Sequence, residues 1–212
     1  GMGGLGSPTA LYLAAAGVGH IVIADFDQVE LSNLQRQIIH QTKDIGDDKV
    51  NSAKNKLTEL NPEIKVTIAN ELIHTDNLNE LIKGVDIVLD GTDNFESRFE
   101  INKVCVENKK PLISAAVVRF EGQVSVFEGH QKNLPCYQCL YSVEGEENES
   151  CIENGVLAPV AGLIGTIQAL QAIKVILNLG DQLSGSLLLV DALDLSFRKV
   201  KIGKDPKCPI CN

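Results

Sequence analysis

The sequence is short of aromatic and basic residues. It contains no tryptophan, its aromatic content is 4%, and it has 19 lysines and arginines against 28 aspartates and glutamates. The formal net charge is −9 and the isoelectric point is about 4.9. Proteins that bind nucleic acids non-specifically carry basic patches, so this composition argues against a general nucleic-acid binder.

Membrane and export signals are also lacking. No uninterrupted apolar run reaches the length of about 20 residues that spans a bilayer. The chain opens on glycines rather than on the basic and apolar segments of a secretory signal. We therefore expect a protein that does not cross a membrane, and we expect it in the cytoplasm.

The sequence does have the composition and patterning of a folded domain. Its 212 residues are 44% hydrophobic and 22% charged, which is enough apolar material to bury a core. We predict strands at residues 20–24, 64–69, 85–90, 112–116, 122–128, 187–191 and 195–200, and helices at 8–16, 49–60, 78–82, 95–107 and 160–179. The early alternation of strands and helices predicts an α/β fold with a Rossmann-like, doubly wound sheet, mostly parallel, with antiparallel strands in the C-terminal half.

A glycine-rich loop begins the chain. Residues 1–6 read GMGGLG, which fits the G-x-G-x-x-G pattern of loops that let the backbone approach a phosphate. Asp25 follows by about 20 residues, at the end of the next predicted strand, where a carboxylate binds ribose hydroxyls. Together these features predict a nucleotide site without specifying the nucleotide. A ligand-free glycine turn, and an aspartate that only ends a strand, remain alternatives.

Two cations narrow the choice of nucleotide. Arg36 lies in the polar segment SNLQRQ, and Lys49 begins a predicted helix, where the helix dipole disfavours positive charge. Polyphosphate chemistry needs positive charge beside the phosphates, so these residues favour ATP over a dinucleotide. Taken alone, Arg36 or Lys49 is explained about equally well as a solvated surface charge.

Asp93 and Asn94 follow another predicted strand, at the edge where open α/β sheets bind ligands. A carboxylate beside phosphates is a natural Mg²⁺ ligand, so Asp93 predicts a magnesium site and Asn94 a neighbouring hydrogen bond. The alternative is that this pair caps the helix that begins at Phe95.

Four of the six cysteines form two C-x-x-C pairs. Cys136 and Cys139 make up the first pair, and Cys208 and Cys211 make up the second. Two such pairs supply four thiolates for one tetrahedral Zn²⁺, which leaves no open coordination position. We therefore predict a structural zinc site that holds the C-terminus on the domain, with a redox motif as the alternative.

The two remaining cysteines differ from each other. Cys105 lies within a helical pattern and is predicted to be a core residue. Cys151 is isolated and follows the acidic stretch GEENES, so it is either a nucleophile or an incidental loop thiol. The four histidines lack ligand spacing, and no role is assigned to them.

These motifs together resemble one known family. The chain resembles the MoeB/ThiF adenylyltransferases, bacterial relatives of ubiquitin-activating enzymes, over essentially its whole length. The resemblance is carried by Asp25 and by the segments GMGGLG, LSNLQRQ, DDKV, GTDN, PCYQC, GVLAPVAGLIGTIQALQAIK and CPIC. It implies an enzyme that uses ATP and Mg²⁺ to adenylylate the C-terminal Gly-Gly carboxylate of a ubiquitin-like sulfur carrier, releasing pyrophosphate. A MoaD-type carrier implies molybdopterin biosynthesis, and a ThiS-type carrier implies thiamine biosynthesis.

The resemblance also implies roles for individual residues. Arg36 would stabilise the transition state, and Asp93 would bind the metal and be catalytic. Cys151 would match the cysteine that, in some members, forms a thioester or an acyl-persulfide with the carrier. The implied nucleotide-binding residues are Gly4, Asp25, Ser32, Asn33, Arg36, Lys49, Asp93 and Asn94. The implied zinc ligands are Cys136, Cys139, Cys208 and Cys211.

The same resemblance implies a homodimer. Family members carry an N-terminal segment whose arginine enters the partner's site, and we expect that segment and the first strand to be missing here. We expect one adenylation domain over residues 1–212, with the zinc knuckle and a flexible crossover loop at 136–151. Two alternatives from other classes remain: an NAD-dependent oxidoreductase, and a non-catalytic ATP-binding scaffold that recruits a ubiquitin-like partner.

Overall fold

The computed structural model describes residues 1–142 and 155–212. The described helices are α1 (Gly6–Ala15), α2 (Lys49–Leu60), α3 (Thr75–Leu81), α4 (Phe95–Glu107) and α5 (Ala158–Ile176). The described strands are β1 (His20–Ala24), β2 (Lys65–Ala69), β3 (Val88–Asp90), β4 (Leu112–Val118), β5 (Glu121–Phe127), β6 (Ser186–Asp191) and β7 (Ser196–Lys201). Short 3-10 helices lie at Leu31–Asn33, Thr42–Asp44 and Tyr137–Cys139.

These strands form two sheets. β1 and β2 pair in parallel, and the other five strands lie in the order β3-β4-β5-β6-β7. β3 and β4 are parallel, and every later pair is antiparallel. The predicted α/β fold is confirmed, with parallel pairing in the N-terminal half and antiparallel pairing in the C-terminal half. Antiparallel pairs are the more numerous among the described strands, because β4 and β5 are joined by a tight turn rather than by a helix.

Helix α5 is the central core helix. It packs against α1, β4 and β5. Contact with α1 requires glycine at position 165, where a Cβ atom would lie 2.5 Å from the Leu5 carbonyl oxygen. The buried Gln168 donates Nε2–H bonds to the carbonyl oxygens of Asp90 and Ile113, at 2.7 and 2.9 Å. By length and composition alone α5 is apolar enough to cross a membrane, but these contacts place it in the core.

The predicted bounds of α2 and α4 are confirmed at both ends, because the signals that set them are local. Asn94 caps α4, and its Oδ1 accepts the backbone N–H of Ser97 at 2.9 Å. Helix α2 ends just before Asn61 and Pro62, where proline disfavours a helical conformation in the preceding residue. Helix α1 begins at Gly6, earlier than predicted, because the glycine-rich loop runs directly into it.

Candidate active site

A cleft of about 380 Å³ opens beside the carboxyl ends of β1 and β3. The glycine-rich loop, the segments that follow both strands and the first residue of α2 line it. The cleft brings together seven predicted nucleotide-binding residues that are distant in sequence: Gly4, Asp25, Ser32, Arg36, Lys49, Asp93 and Asn94. The eighth, Asn33, does not line the cleft. Its Oδ1 instead accepts the backbone N–H of Glu30 at 3.3 Å and caps a 3-10 helix.

The glycine-rich loop depends on one of its glycines for steric reasons. A Cβ atom at Gly6 would lie 2.0 Å from the Gly1 carbonyl oxygen, a distance that no side chain tolerates. At Gly4 a Cβ atom would only touch Arg36 and Ala161, at 3.4 Å. Because α1 begins where the loop ends, the positive end of the helix dipole lies at the cleft.

Asp25 fastens this loop to the end of β1. Its Oδ2 accepts the backbone N–H of Met2 at 2.6 Å, and its Oδ1 accepts that of Asp27 at 2.9 Å. Each carboxylate oxygen keeps a further lone pair for a ligand hydroxyl. Asp25 therefore shapes the loop in addition to facing the cleft, a role that the sequence did not reveal.

Lys49 is buried at the start of α2. Its side chain is 7% exposed, and Nζ donates to Asp27 Oδ2 at 2.7 Å. This carboxylate offsets the unfavourable placement of a cation at a helix N-terminus. Asp27 was not predicted, although its place two residues after Asp25 in the segment DFD was an available signal.

Arg36 faces the cleft from the loop between β1 and α2. Its Nη1 donates to the Ser32 carbonyl oxygen at 3.3 Å, which uses one of the five N–H donors of a guanidinium. The neighbouring Gln37 also lines the cleft and was not predicted. Gln37 is buried, and within the described part of the chain its Oε1 has no hydrogen-bond partner.

Asp93 and Asn94 have different roles at the end of β3. Asn94 caps α4, so the capping alternative holds for this residue, while its NH₂ group stays available to a ligand. Asp93 is exposed, lines the cleft, and makes no side-chain hydrogen bond within residues 1–142 and 155–212. A carboxylate with unused oxygen lone pairs is the kind of ligand that Mg²⁺ prefers.

A buried ion pair between Asp90 and Arg98, of which Arg98 lines the cleft, was not predicted. Arg98 Nε lies 3.6 Å from Asp90 Oδ2, and both side chains are less than a tenth exposed. Arg98 Nη2 donates to the Thr92 carbonyl oxygen at 2.7 Å, and Asp90 Oδ1 accepts the N–H and Oγ–H of the same threonine. The pair thus fixes the residue before Asp93. An aspartate that ends a buried strand was the signal for it.

The four predicted zinc ligands come together in space. Sγ–Sγ distances are 3.4 Å for Cys139 and Cys211 and 3.6 Å for Cys136 and Cys208, and all four atoms lie within 4.8 Å of one another. A tetrahedral site with Zn–S bonds of about 2.3 Å has sulfurs about 3.8 Å apart, whereas a disulfide bond is about 2.05 Å long. The donor set and its spacing fit zinc.

Packing around the cysteine cluster is specific. A Cβ atom at Gly129 would lie 2.4 Å from Cys136 Cβ, so glycine is required there. The backbone N–H of Tyr137 donates to Asn102 Oδ1 at 2.8 Å, which ties the first knuckle to α4. Burial raises the pKa of the Cys208 thiol, but backbone hydrogen bonds from Ile210 and Cys211 outweigh it and lower that pKa below its usual value. A lowered pKa favours the thiolate that binds metals, but burial raises the pKa of the Cys211 thiol to about 11 and also raises that of Cys136.

Of the two cysteines outside the cluster, the structure describes only Cys105. Cys105 is buried in a second core cluster with Leu78, Ile101 and Phe127, as predicted. Burial raises the pKa of its thiol to about 12, so it stays protonated. Cys151 lies outside the described residues.

Comparison with known proteins identifies the family. The sequence matches the ThiF family over residues 1–210. The chain belongs to the ThiF family. Among ThiF-type relatives, it is 44% identical over 211 residues to the molybdopterin-synthase adenylyltransferase of Salmonella typhimurium, covering 100% of this chain and 84% of that protein. It is 45% identical over 215 residues to the adenylyltransferase and sulfurtransferase MOCS3 of Culex quinquefasciatus, covering 100% of this chain and 49% of that protein.

A solved structure shares the fold. The crystal structure of E. coli MccB with ATP superposes with a TM-score of 0.84 at 25% sequence identity, covering 100% of this chain and 64% of that chain. The chain thus spans less than two thirds of MccB. The family resemblance inferred from the motifs is confirmed, and membership of the ThiF family favours adenylyl transfer over the dinucleotide-dependent oxidoreductase.

Proposed function

We propose that this protein is an ATP-dependent adenylyltransferase that activates the C-terminal Gly-Gly carboxylate of a MoaD-type sulfur carrier for molybdopterin biosynthesis. A carrier carboxylate oxygen bonds to the α-phosphorus of ATP. The bond from that phosphorus to the oxygen bridging it to the β-phosphorus breaks, and pyrophosphate leaves with the electron pair. The observation that carries the proposal is the cleft that gathers the glycine-rich loop, Arg36, Lys49 and Asp93. The identity to molybdopterin-synthase adenylyltransferase supports the choice of carrier.

The electrostatics of the cleft suit this reaction. Attack of a carboxylate on a triphosphate brings two anions together, so the site must supply positive charge. Arg36 and Lys49 supply it, and the carboxylate is already ionised near pH 7, so it needs no general base. The chain is acidic overall, but the field that acts on the phosphates is local.

The remaining cleft residues hold the nucleotide. Asp25 accepts the ribose hydroxyls, and Gly4 lets the backbone approach the phosphates. Ser32 and Asn94 supply polar contacts from two sides of the cleft. Asn33 acts indirectly, by shaping the 3-10 helix that precedes Arg36.

Mg²⁺ fits the carboxylate of Asp93, which is exposed to the cleft and carries hard oxygen ligands. When bound, the ion would neutralise phosphate charge. Zn²⁺ fits the cluster of Cys136, Cys139, Cys208 and Cys211, where it would serve a structural role because all four ligands come from the protein.

Cys151 is proposed to accept the activated carrier. Its sulfur would attack the acyl carbon of the mixed anhydride, the C–O bond to AMP would break, and a thioester would form. We expect intact-mass spectrometry under non-reducing conditions to show a carrier adduct on the wild type. We expect the adduct to be absent from Cys151→Ala and retained in Cys105→Ala. A wild-type enzyme that forms no adduct contradicts the covalent step.

Three broader expectations accompany this function. A single adenylation domain over residues 1–212 is supported by the family match over residues 1–210. A homodimer is supported by exposed apolar side chains near the cleft, such as Leu31 and Ile38, which are 71% and 58% exposed. A cytoplasmic location is supported by the biosynthetic role of the enzyme.

Exchange of labelled pyrophosphate into ATP tests the proposal. We expect exchange only when a carrier with an intact Gly-Gly end is present, and faster exchange with a MoaD-type than with a ThiS-type carrier. A carrier lacking its last two glycines is the matched control. If exchange occurs only with the ThiS-type carrier, the enzyme would be assigned to thiamine biosynthesis instead. Carrier binding without any exchange would overturn the proposal in favour of a non-catalytic scaffold.

A further inference from the structure

A buried hydrogen-bond chain lies beneath the glycine-rich loop. His40, which is 5% exposed, has its Nε2 3.1 Å from the Met2 carbonyl oxygen. Its Nδ1 lies 2.8 Å from Ser52 Oγ, and that oxygen lies 3.0 Å from Asp44 Oδ2. The chain of contacts therefore joins the loop to the first turn of α2 and to a 3-10 helix.

The Met2 residue is held on both sides by these interactions. Its N–H donates to Asp25 Oδ2 at 2.6 Å, and its carbonyl faces His40. Gly3 and Gly4 follow immediately and line the cleft. Glycines have wide conformational freedom, so the orientation of their amides depends on how firmly the preceding residue is anchored.

The same chain reaches the helix that carries Lys49. Ser52 lies three residues after Lys49 on α2, so both side chains project from the same face of the helix. His40 thus connects the loop that approaches the phosphates with the helix that supplies a cation.

We propose that His40 is a positioning residue of the nucleotide cleft: its Nε2–H holds the Met2 carbonyl and keeps the glycine-rich loop in the shape that receives the triphosphate. This inference rests on the proposed function, because it takes the cleft to bind ATP.

The positions of the protons in this hydrogen-bond chain determine the protonation state of the His40 imidazole. Nε2 faces a carbonyl oxygen, so it carries a proton. If Ser52 donates to Asp44, Nδ1 must also donate and the ring is an imidazolium. If Ser52 donates to Nδ1, the ring is neutral and the contact between Ser52 and Asp44 has no proton. The contact with Met2 is present in both states.

The surroundings of His40 have opposite effects on its pKa. Burial lowers the pKa of His40 below its usual value, the Met2 carbonyl raises it, Lys49 lowers it, and Asp25 and Asp44 raise it. The net direction is downward, so the ring is neutral near pH 7. The folded-state pKa lies below the unfolded value of about 6.5, so this contribution to stability is complete above that pH. It is lost as the pH falls through the folded-state pKa.

Two amide substitutions separate the ring nitrogens. Glutamine places its NH₂ group where Nε2 lies and keeps the donor to Met2, whereas asparagine mimics only Nδ1. We expect His40→Asn to raise the Kd for ATP about tenfold, because a buried carbonyl loses its partner. We expect His40→Gln to keep the Kd within about threefold of wild type, and both variants to keep kcat at saturating ATP. His20→Asn, a change to an exposed ring on β1, is the matched control and leaves the Kd unchanged.

Equal losses in the two His40 variants would reduce the residue to a packing role and overturn the inference, as would no loss in His40→Asn. If asparagine prevents folding, ¹⁵N NMR of the wild-type ring decides. A proton on Nε2 at pH 7 supports the inference, and a proton on Nδ1 alone overturns it. A wild-type protein that does not bind ATP would instead refute the proposed function, and this inference with it.

Discussion

Replacing Lys49 by alanine is expected to lower carrier-dependent pyrophosphate exchange by about 10²- to 10³-fold. The substitution removes a buried cation from the site where a carboxylate meets a triphosphate. In the wild type Nζ donates to Asp27 Oδ2 at 2.7 Å, and alanine leaves neither a cation nor a donor at this place in the cleft. Steady-state exchange at varied ATP concentration measures both kcat and KM for this variant.

The fold is expected to tolerate this change. Asp27 is 49% exposed, so water can solvate its carboxylate once Lys49 is gone, and no charge is left buried without a partner. Lys54→Ala, which removes an exposed lysine from the same helix, is the control and should leave exchange unchanged. A Lys49→Ala protein with wild-type exchange would remove Lys49 from the proposed mechanism.

Replacing Cys208 by serine is expected to abolish zinc binding at the proposed site and to lower the free energy of unfolding by about 4 kcal/mol, as loss of a structural metal does. Metal binding would contribute directly to folding, because the proposed ligands lie on segments separated by 72 residues that the ion would join. Elemental analysis gives the zinc content, and urea unfolding gives the stability.

Cys105→Ala is the matched control for the zinc site. Cys105 lies in the second core cluster rather than in the cysteine cluster, so the variant should keep one zinc per chain while losing some packing energy. A wild-type protein purified without chelators that contains no zinc, or a Cys208→Ser variant that retains it, would contradict the structural zinc site.

Much of this fold could be predicted from the sequence because its signals are local. The ends of α2 and α4 were predicted at Lys49, Leu60, Phe95 and Glu107, where caps and a proline act on neighbouring residues. The clustering of the four cysteines was predicted because C-x-x-C spacing is informative without knowledge of the fold. The cleft that gathers the proposed nucleotide-binding residues could be predicted because open α/β sheets place such clefts beyond the carboxyl ends of parallel strands.

The parts that could not be predicted are tertiary. Nothing in the local sequence shows that Asp27 pairs with Lys49, or that His40 contacts Met2 across 38 positions. The sequence also could not show that Ser32 lines the cleft and its neighbour Asn33 does not, because this difference depends on the tertiary structure. The local sequence does not identify the partners of side chains that hold other site residues in place, so only the packed structure reveals these contacts.

The most direct measurement is a crystal structure with an ATP analogue whose bridge between the α- and β-phosphates cannot be cleaved. We expect the triphosphate to lie over residues 1–6, with the ribose at Asp25 and with Arg36 and Lys49 within hydrogen-bond distance of phosphate oxygens. The α-phosphorus should be open to the side from which a carrier tail enters. An analogue bound elsewhere, or a cleft left empty at saturating concentration, would contradict adenylylation in this site.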